Sequence, residues 1–326
     1  MRAAEVCFVF ALELVLLLGQ PALAEQSYPS RPIKIIVPFA PGGPTDATGR
    51  MLAEALSRRL GQPIVVENFG GAGGNVGALR AAQSAPDGYT LMLTNISMAV
   101  SPALYPDLAY DPANDFISIG IAVFQPTMLV ARPSFAKTPF KDFVDYLKSN
   151  GEKVAAATTG PGGPSFLCAS LLMKQLDTRF NLVPYQGTGP AMLDVAAGRA
   201  DFVCDAAITA SAQAAAGNVK AFGIVGNTRS KLLPELPTLA EQGLPNVALQ
   251  VWSGLYAPRQ TPAAIVGKIS AALQTTLSDP DFQSKAVAAG QETVPPELAT
   301  PAGAAAFLRA EIDKWTPLVK TWTPAK

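Results

Sequence analysis

Between Ile33 and Leu60 the hydrophobic pattern changes period. Ile33, Ile35, Ile36 and Val37 form a short apolar run, the signature of a buried strand. Beyond it, Met51, Leu52, Ala55, Leu56 and Leu60 fall on one side of a helical projection, with Arg50, Glu54, Arg58 and Arg59 largely on the other. The pattern predicts a strand at 33–37, a glycine turn at Pro41-Gly42-Gly43-Pro44-Thr45-Asp46, and a helix from Ala47 to Leu60 stopped by Gly61 and Pro63. Ile64 to Val66 reads as the next strand. A second glycine cluster, Gly70 to Gly77, leads to a helix at 78–84, then a turn at Pro86-Asp87-Gly88 and a strand at 89–94. Strand alternating with helix argues an α/β fold with a mostly parallel sheet and helices on both faces.

The long apolar stretch from Phe116 to Arg132 is interrupted only by Gln125 and Pro126. Proline cannot sit inside a central strand, so this stretch predicts two strands end to end and a passage from one lobe to another. The second lobe then runs through a helix at 140–150, strands at 154–157, 182–184, 200–204 and 219–225, and a strand at 249–256 that crosses back. Between the second and third of these strands, Tyr185 to Pro190 opens a helix, with Pro190 at a favoured first-turn position and Gly198 closing it. Helices at 262–277, 280–289 and 301–315 finish the chain. The domains expected are 25–126 with 250–326, and 127–249.

The turn after the first strand returns as Pro161-Gly162-Gly163-Pro164-Ser165, again after an apolar run and before an apolar helix, Phe166 to Leu176. Glycines let a backbone approach a ligand closely, and the unpaired amides of a first helical turn point at whatever lies above the loop. Two such anion cradles in one chain suggest two lobes facing one ligand, because ligands of open α/β sheets bind at the carboxyl ends of strands. Phe39, beside the first cradle, fits a pocket wall. Asp205, at the carboxyl end of a strand, suits a turn or a ligand contact equally.

Composition narrows the chemistry. Lys+Arg and Asp+Glu balance at 25 each, charged residues are 15% of the chain, and no basic patch invites nucleic acid. Histidine is absent, which removes Ser-His-Asp and Cys-His catalysis and the commonest metal ligand. No P-loop, nucleophile elbow or correctly spaced dinucleotide fingerprint occurs, so neither a cofactor nor a metal is expected.

The first residues form a separate segment: Arg2, an apolar run from Val6 to Leu18, then Gly19-Gln20-Pro21 and Ala22-Leu23-Ala24. This is secretory-signal anatomy with cleavage after Ala24, and the run, broken by Glu13, is short for a membrane anchor. Cleavage removes Cys7 and leaves Cys168 and Cys204, which in an oxidising compartment either form a disulfide or stay as two buried thiols.

Several motifs, taken in order along the mature chain, resemble one family. They are Tyr28-Pro29 and Val37-Pro38-Phe39-Ala40-Pro41-Gly42-Gly43 with Asp46, then Gly71-Ala72-Gly73-Gly74-Asn75 and Asp87-Gly88-Tyr89. Val183-Pro184-Tyr185, Leu236-Pro237-Thr238-Leu239-Ala240-Glu241 and Trp252-Ser253-Gly254-Leu255 follow. The chain is similar to the solute-binding proteins of tripartite tricarboxylate transporters, the TctC or Bug family. The resemblance implies a periplasmic, type II, two-lobed binding protein that closes on a small organic acid and delivers it to two integral-membrane subunits. It implies a carboxylate held largely by backbone amides and ordered water between loops that match Phe39 to Asp46 and Thr158 to Ser165 here.

The second loop departs from the family's usual pattern: Gly163 removes a hydroxyl, Pro164 an amide, and Phe166 replaces an imidazole. Lost donors predict a drier pocket, suited to a mono- or dicarboxylate with an apolar or aromatic body. The binding residues expected are Phe39, Pro41, Gly42, Gly43, Thr45, Asp46, Thr159, Gly160, Gly162, Gly163, Ser165, Phe166, Tyr185, Thr188 and Asp205. Asp46 suits a helix cap better than a ligand contact. The protein is expected to be a monomer that binds no nucleic acid. Two other readings stay open: a periplasmic partner that presents its closed form to a sensor, and an α/β enzyme using Asp46, Asp205 and Tyr185 as acid-base groups.

Overall fold

A computed structural model describes residues 28–320. The expected signal segment and Cys7 lie outside the described residues. β1 (Ile33–Val37) buries every residue but Lys34, as a strand covered on both faces must. α1 (Pro44–Leu60) starts with Pro44 in its first turn, buries Leu52, Leu56 and Leu60 four apart, and ends where Gly61 at φ 72° donates to the Ser57 carbonyl.

β2 (Ile64–Asn68), α2 (Asn75–Ala82), β3 (Thr90–Asn95), α3 (Ser97–Leu104) and β4 (Phe116–Gln125) follow. The chain then passes Pro126 into β5 (Thr127–Ala131), α4 (Phe140–Asn150), β6 (Ala155–Thr158), α5 (Pro164–Leu176), β7 (Asn181–Pro184), α6 (Thr188–Ala196), β8 (Phe202–Ala206), α7 (Ala207–Ala215) and β9 (Lys220–Val225). It returns through β10 (Val251–Pro258), α8 (Ala263–Leu277), α9 (Pro280–Ala288), β11 (Glu292–Thr293) and α10 (Pro301–Lys320).

Two sheets result. The first has the order β11-β4-β10-β3-β1-β2 and the second β7-β6-β8-β5-β9, so each half of the α/β fold has its own sheet. The expectation of mostly parallel pairing needs correction. β1 pairs parallel with β2 and β3, and β6 with β7 and β8, but β10 runs antiparallel to β3 and β4, β11 to β4, and β5 to β8 and β9. A parallel pair needs a crossover back to the same edge, whereas β5 and β10 enter their sheets directly from the other half.

α3 and α7 had no sequence signal. α3 begins Ser97-Met98-Ala99-Val100-Ser101, all buried, which erases the helical period, and it holds Pro102. α7 is mostly alanine. α10 runs on through Pro317 to Lys320 instead of ending at Trp315.

The core is aromatic. Phe143 stacks on Phe222 with centroids 4.2 Å apart, and the indole N–H groups of Trp252 and Trp315 both donate to Glu311 Oε2, at 3.2 and 3.0 Å. Of the two alternatives for the cysteines, the structure has the bond: Cys168 on α5 and Cys204 on β8 form a disulfide across a Cα separation of 6.2 Å. It ties the helix behind the second cradle to the strand that carries Asp205.

Candidate functional site

Four helices begin at one place. α1 is N-capped by Gly43, α5 by Gly163, α6 by Gly187 and α7 by Ala206, and none of the four caps places a side chain on the first-turn amides. Those amides have no partner within their own helix, and each helix dipole adds partial positive charge at the same end. Gly43, Pro164, Gly187 and Ala206 all line one cavity. The first half of the fold supplies Phe39, Ala40, Pro44, Thr45, Asn95, Gln125 and Val251 to its wall. The second supplies Thr127, Thr159, Thr188, Cys204 and Asp205.

Two lining hydroxyls are held by neighbours. Asn95 Nδ2 donates to Thr45 Oγ1 at 3.1 Å, which leaves the Thr45 hydroxyl proton to point elsewhere. Ser165 Oγ accepts from the Thr159 amide at 2.8 Å and lies 3.0 Å from Thr159 Oγ1. Gly163 makes that arrangement fit, since a Cβ there would stand 2.0 Å from Thr159 Oγ1. Gln125 Nε2 donates to Thr48 Oγ1 at 2.8 Å, anchoring the end of β4 beneath the cavity.

Asp205 is the cavity's acid. It is 3% exposed, its Oδ1 accepts from the Ala206 amide at 2.8 Å, and its Oδ2 accepts from the Thr209 hydroxyl. Burial pushes its pKa up to about 6, against the pull of Thr209, Ala206 and Thr188 toward the ionised form. Thr188 Oγ1, buried close by, meets no partner at ordinary hydrogen-bonding geometry.

An outer space adjoins the cavity and shares Phe39, Ala40, Thr159 and Gly187 with it. Gly70 to Gly74, Gly160 and Tyr185 also line it. Here the two halves touch. Tyr105 Oη, just past α3, donates to the Pro161 carbonyl at 3.1 Å, and a Cβ on Gly73 would meet that same oxygen at 2.3 Å. The Tyr105 hydrogen bond bridges the two halves across the outer space.

The fifteen residues expected from sequence divide by position. Phe39, Gly43, Thr45, Thr159, Thr188 and Asp205 line the inner cavity, while Gly160 and Tyr185 line the outer space. Pro41, Gly42, Asp46, Gly162, Gly163, Ser165 and Phe166 line neither. Asp46 braces the first loop instead: it accepts from the Gly42 amide at 2.9 Å, Arg50 Nε at 3.0 Å and Asn68 Nδ2 at 3.0 Å. Burial alone would raise its pKa, but these donors outweigh it and hold the carboxyl below the usual range. Phe166 packs against the core, and Tyr185 donates its hydroxyl to Asp194 at 2.7 Å.

Asn95, Gln125, Thr127 and Val251 went unnoticed in the sequence as lining residues. Gln125 carried a signal, being the polar interruption of an apolar run, and Asn95 ends a strand at its carboxyl side.

The sequence matches the profile of the tripartite tricarboxylate transporter family receptor, TctC, over residues 48–323. It is 40% identical over 312 residues to a UPF0065 protein from the TAR-I ttuE-ttuC' intergenic region of Agrobacterium vitis, covering 96% of this chain and 90% of that one. Among solved structures, the periplasmic binding protein BugD superposes with a TM-score of 0.86 at 37% identity, over 90% of this chain and 98% of that one. MatC (Rpa3494) of Rhodopseudomonas palustris, with bound malate, superposes with a TM-score of 0.85 at 36% identity, over 90% of this chain and 100% of that one.

Proposed function

The chain belongs to the tripartite tricarboxylate transporter receptor family, and on that premise we propose that it captures a small organic carboxylate in this cavity and hands it to two integral-membrane subunits. The family's members are binding proteins of the periplasm and not enzymes. Among the described residues no helix is long and apolar enough to cross a membrane. The reading includes export on the N-terminal signal with cleavage after Ala24, and a monomer that works by hinge closure. Its lobes are 25–126 with 250–326, and 127–249, hinged at Pro126 and at the segment leading into β10.

The observation that carries the reading is the meeting of four helix N-termini with no side-chain caps on one cavity whose walls hold no cationic side chain. Such ends bind anions through amides and dipoles, each interaction contributing roughly 0.3 to 2 kcal/mol. The solute's carboxylate sits among the first turns of α1, α5 and α6, with the Thr45, Thr159 and Thr188 hydroxyls in reach. Phe39, Pro44 and Val251 provide apolar wall for its body. The malate in MatC supports the carboxylate class.

Thermal unfolding against mono-, di- and tricarboxylates and aromatic acids, followed by recovery of the bound compound, tests this. A ligand at about 100 times its Kd adds roughly 2.7 kcal/mol, a rise of several degrees. An acid that shifts the midpoint and returns unchanged supports the reading. An acid that returns altered refutes it.

A further inference from the structure

We propose that the protein binds its anionic solute together with one proton, held at the floor of the cavity on Asp205. The inference rests on the carboxylate reading above and adds to it what the cavity's charge inventory requires. Asp205 is the cavity's one ionisable side chain, because Cys204 is tied up in the disulfide. No lysine or arginine lines the space to balance either Asp205 or an incoming carboxylate.

The elements around Asp205 supply no counter-charge. β5, β6, the rest of β8 and α7 carry no charged side chain, and on the far wall neither β3, β4 nor β10 does. α5, bonded to β8 through the disulfide, carries only Lys174, in its last turn, at the opposite end from the cavity. α6 carries Asp194, engaged with Arg199, and the start of α1 carries Asp46, engaged with Arg50. On β9, Lys220 lies over the Phe222 ring. What touches the Asp205 carboxylate is neutral: the Ala206 amide and the Thr209 hydroxyl, with the Thr188 hydroxyl next to it.

A carboxylate enclosed with an ionised Asp205 would place two negative charges in a confined, weakly polarisable space. The helix N-termini offset one of them. A single proton, shared between the Asp205 carboxyl and the solute or the Thr188 oxygen, removes the second. Burial has already brought Asp205 close to neutral pH, and a second anion beside it moves it further the same way. The sign follows: closure on the anion favours the protonated carboxyl, so affinity is greatest at lower pH and falls as pH rises above the pKa of the unliganded protein.

The test is calorimetric titration of the intact protein with whichever of malate, adipate, benzoate and butyrate binds most tightly, in buffers of different ionisation heat. The expected result is a net uptake approaching one proton per solute. Kd should weaken by up to about tenfold per pH unit from about pH 6.5 to about pH 8.5. In Asp205→Asn both the uptake and the pH dependence should vanish.

A wild-type protein that binds with no uptake and a flat Kd overturns this inference and leaves the carboxylate reading standing. Uptake that persists in Asp205→Asn overturns the assignment to Asp205. If none of the acids binds at any pH, the carboxylate reading falls and this inference falls with it. Should Asp205→Asn fail to fold, the wild-type proton count decides alone.

Discussion

Replacing Tyr105 with phenylalanine deletes one hydroxyl and keeps the ring. That hydroxyl donates to the Pro161 carbonyl at 3.1 Å, a bond joining the first half of the fold to the loop that precedes α5. A neutral hydrogen bond of this kind contributes roughly 0.5 to 1.5 kcal/mol net. If the lobes separate when the solute leaves, the loss falls on the closed form alone. At about 1.4 kcal/mol per factor of ten, Kd should then rise roughly 2- to 12-fold. Folding stability without ligand should change by less than about 0.5 kcal/mol, as for a surface substitution. The assay pairs calorimetric Kd values for wild type and Tyr105→Phe with urea unfolding of both unliganded proteins. An unchanged Kd would refute the role in closure. A Kd rise matched by an equal loss of unliganded stability would show that the bond supports the fold rather than the closed state.

Gly163→Ala places a Cβ 2.0 Å from Thr159 Oγ1, so the threonine must leave the cavity wall; affinity should fall about tenfold or more, with roughly 1–3 kcal/mol of stability lost to overpacking, read by calorimetry and denaturation. Reducing the Cys168–Cys204 bond, which spans 36 positions, should cost about 4 kcal/mol in the loop-entropy picture, and a denaturation midpoint that ignores reductant would contradict it. Asp46 has a pKa lowered below 3.8 in the folded protein, so its contribution is present above that pH and is lost as pH falls through the lowered value. The stability gap between wild type and Asp46→Asn should accordingly be about 1.5–3 kcal/mol near neutral pH and should close in acid, as urea titrations at several pH values would report.

The fold was legible where the hydrophobic period changes. At β1 to α1 the switch from a buried strand to an amphipathic helix brackets a glycine turn, and the structure has the same elements there. The pairing directions were not legible, because nothing in the residues of β10 tells a strand arriving from the other sheet from one arriving through a helix. The repeated PGGP turn located two of the four helix starts at the cavity. The turn from Tyr185 to Pro190 marked the start of α6, and only the start of α7 was obscured, by its short, alanine-rich sequence. Within each loop, residue type could not say which way a side chain points. Asp46 and Ser165 have the chemistry of ligand contacts, but backbone amides of their own loops reach them first. Asn95 and Gln125 were hard to see for the opposite reason, since a lone polar residue at a strand end is ordinary in any sheet.

The caps explain how a cavity without cations can hold an anion. Serine, threonine, aspartate or asparagine at an N-cap contributes about 1 kcal/mol to its helix by occupying a first-turn amide. At α1, α5, α6 and α7 the cap positions are Gly43, Gly163, Gly187 and Ala206, which occupy none. α9, away from the cavity, has an ordinary cap, Asp279 accepting from the Asp281 amide at 3.0 Å. Missing caps are not peculiar to the cavity, since α2, α3, α4 and α8 also begin without one; what sets these four apart is that they open on the same space. The donors that four caps would have consumed remain for a solute, and the glycines that replace three of them keep the walls narrow enough for backbone to reach it. Asp205 then sets the limit on charge: four dipoles suit one anion, and a second negative group in the same space needs a proton.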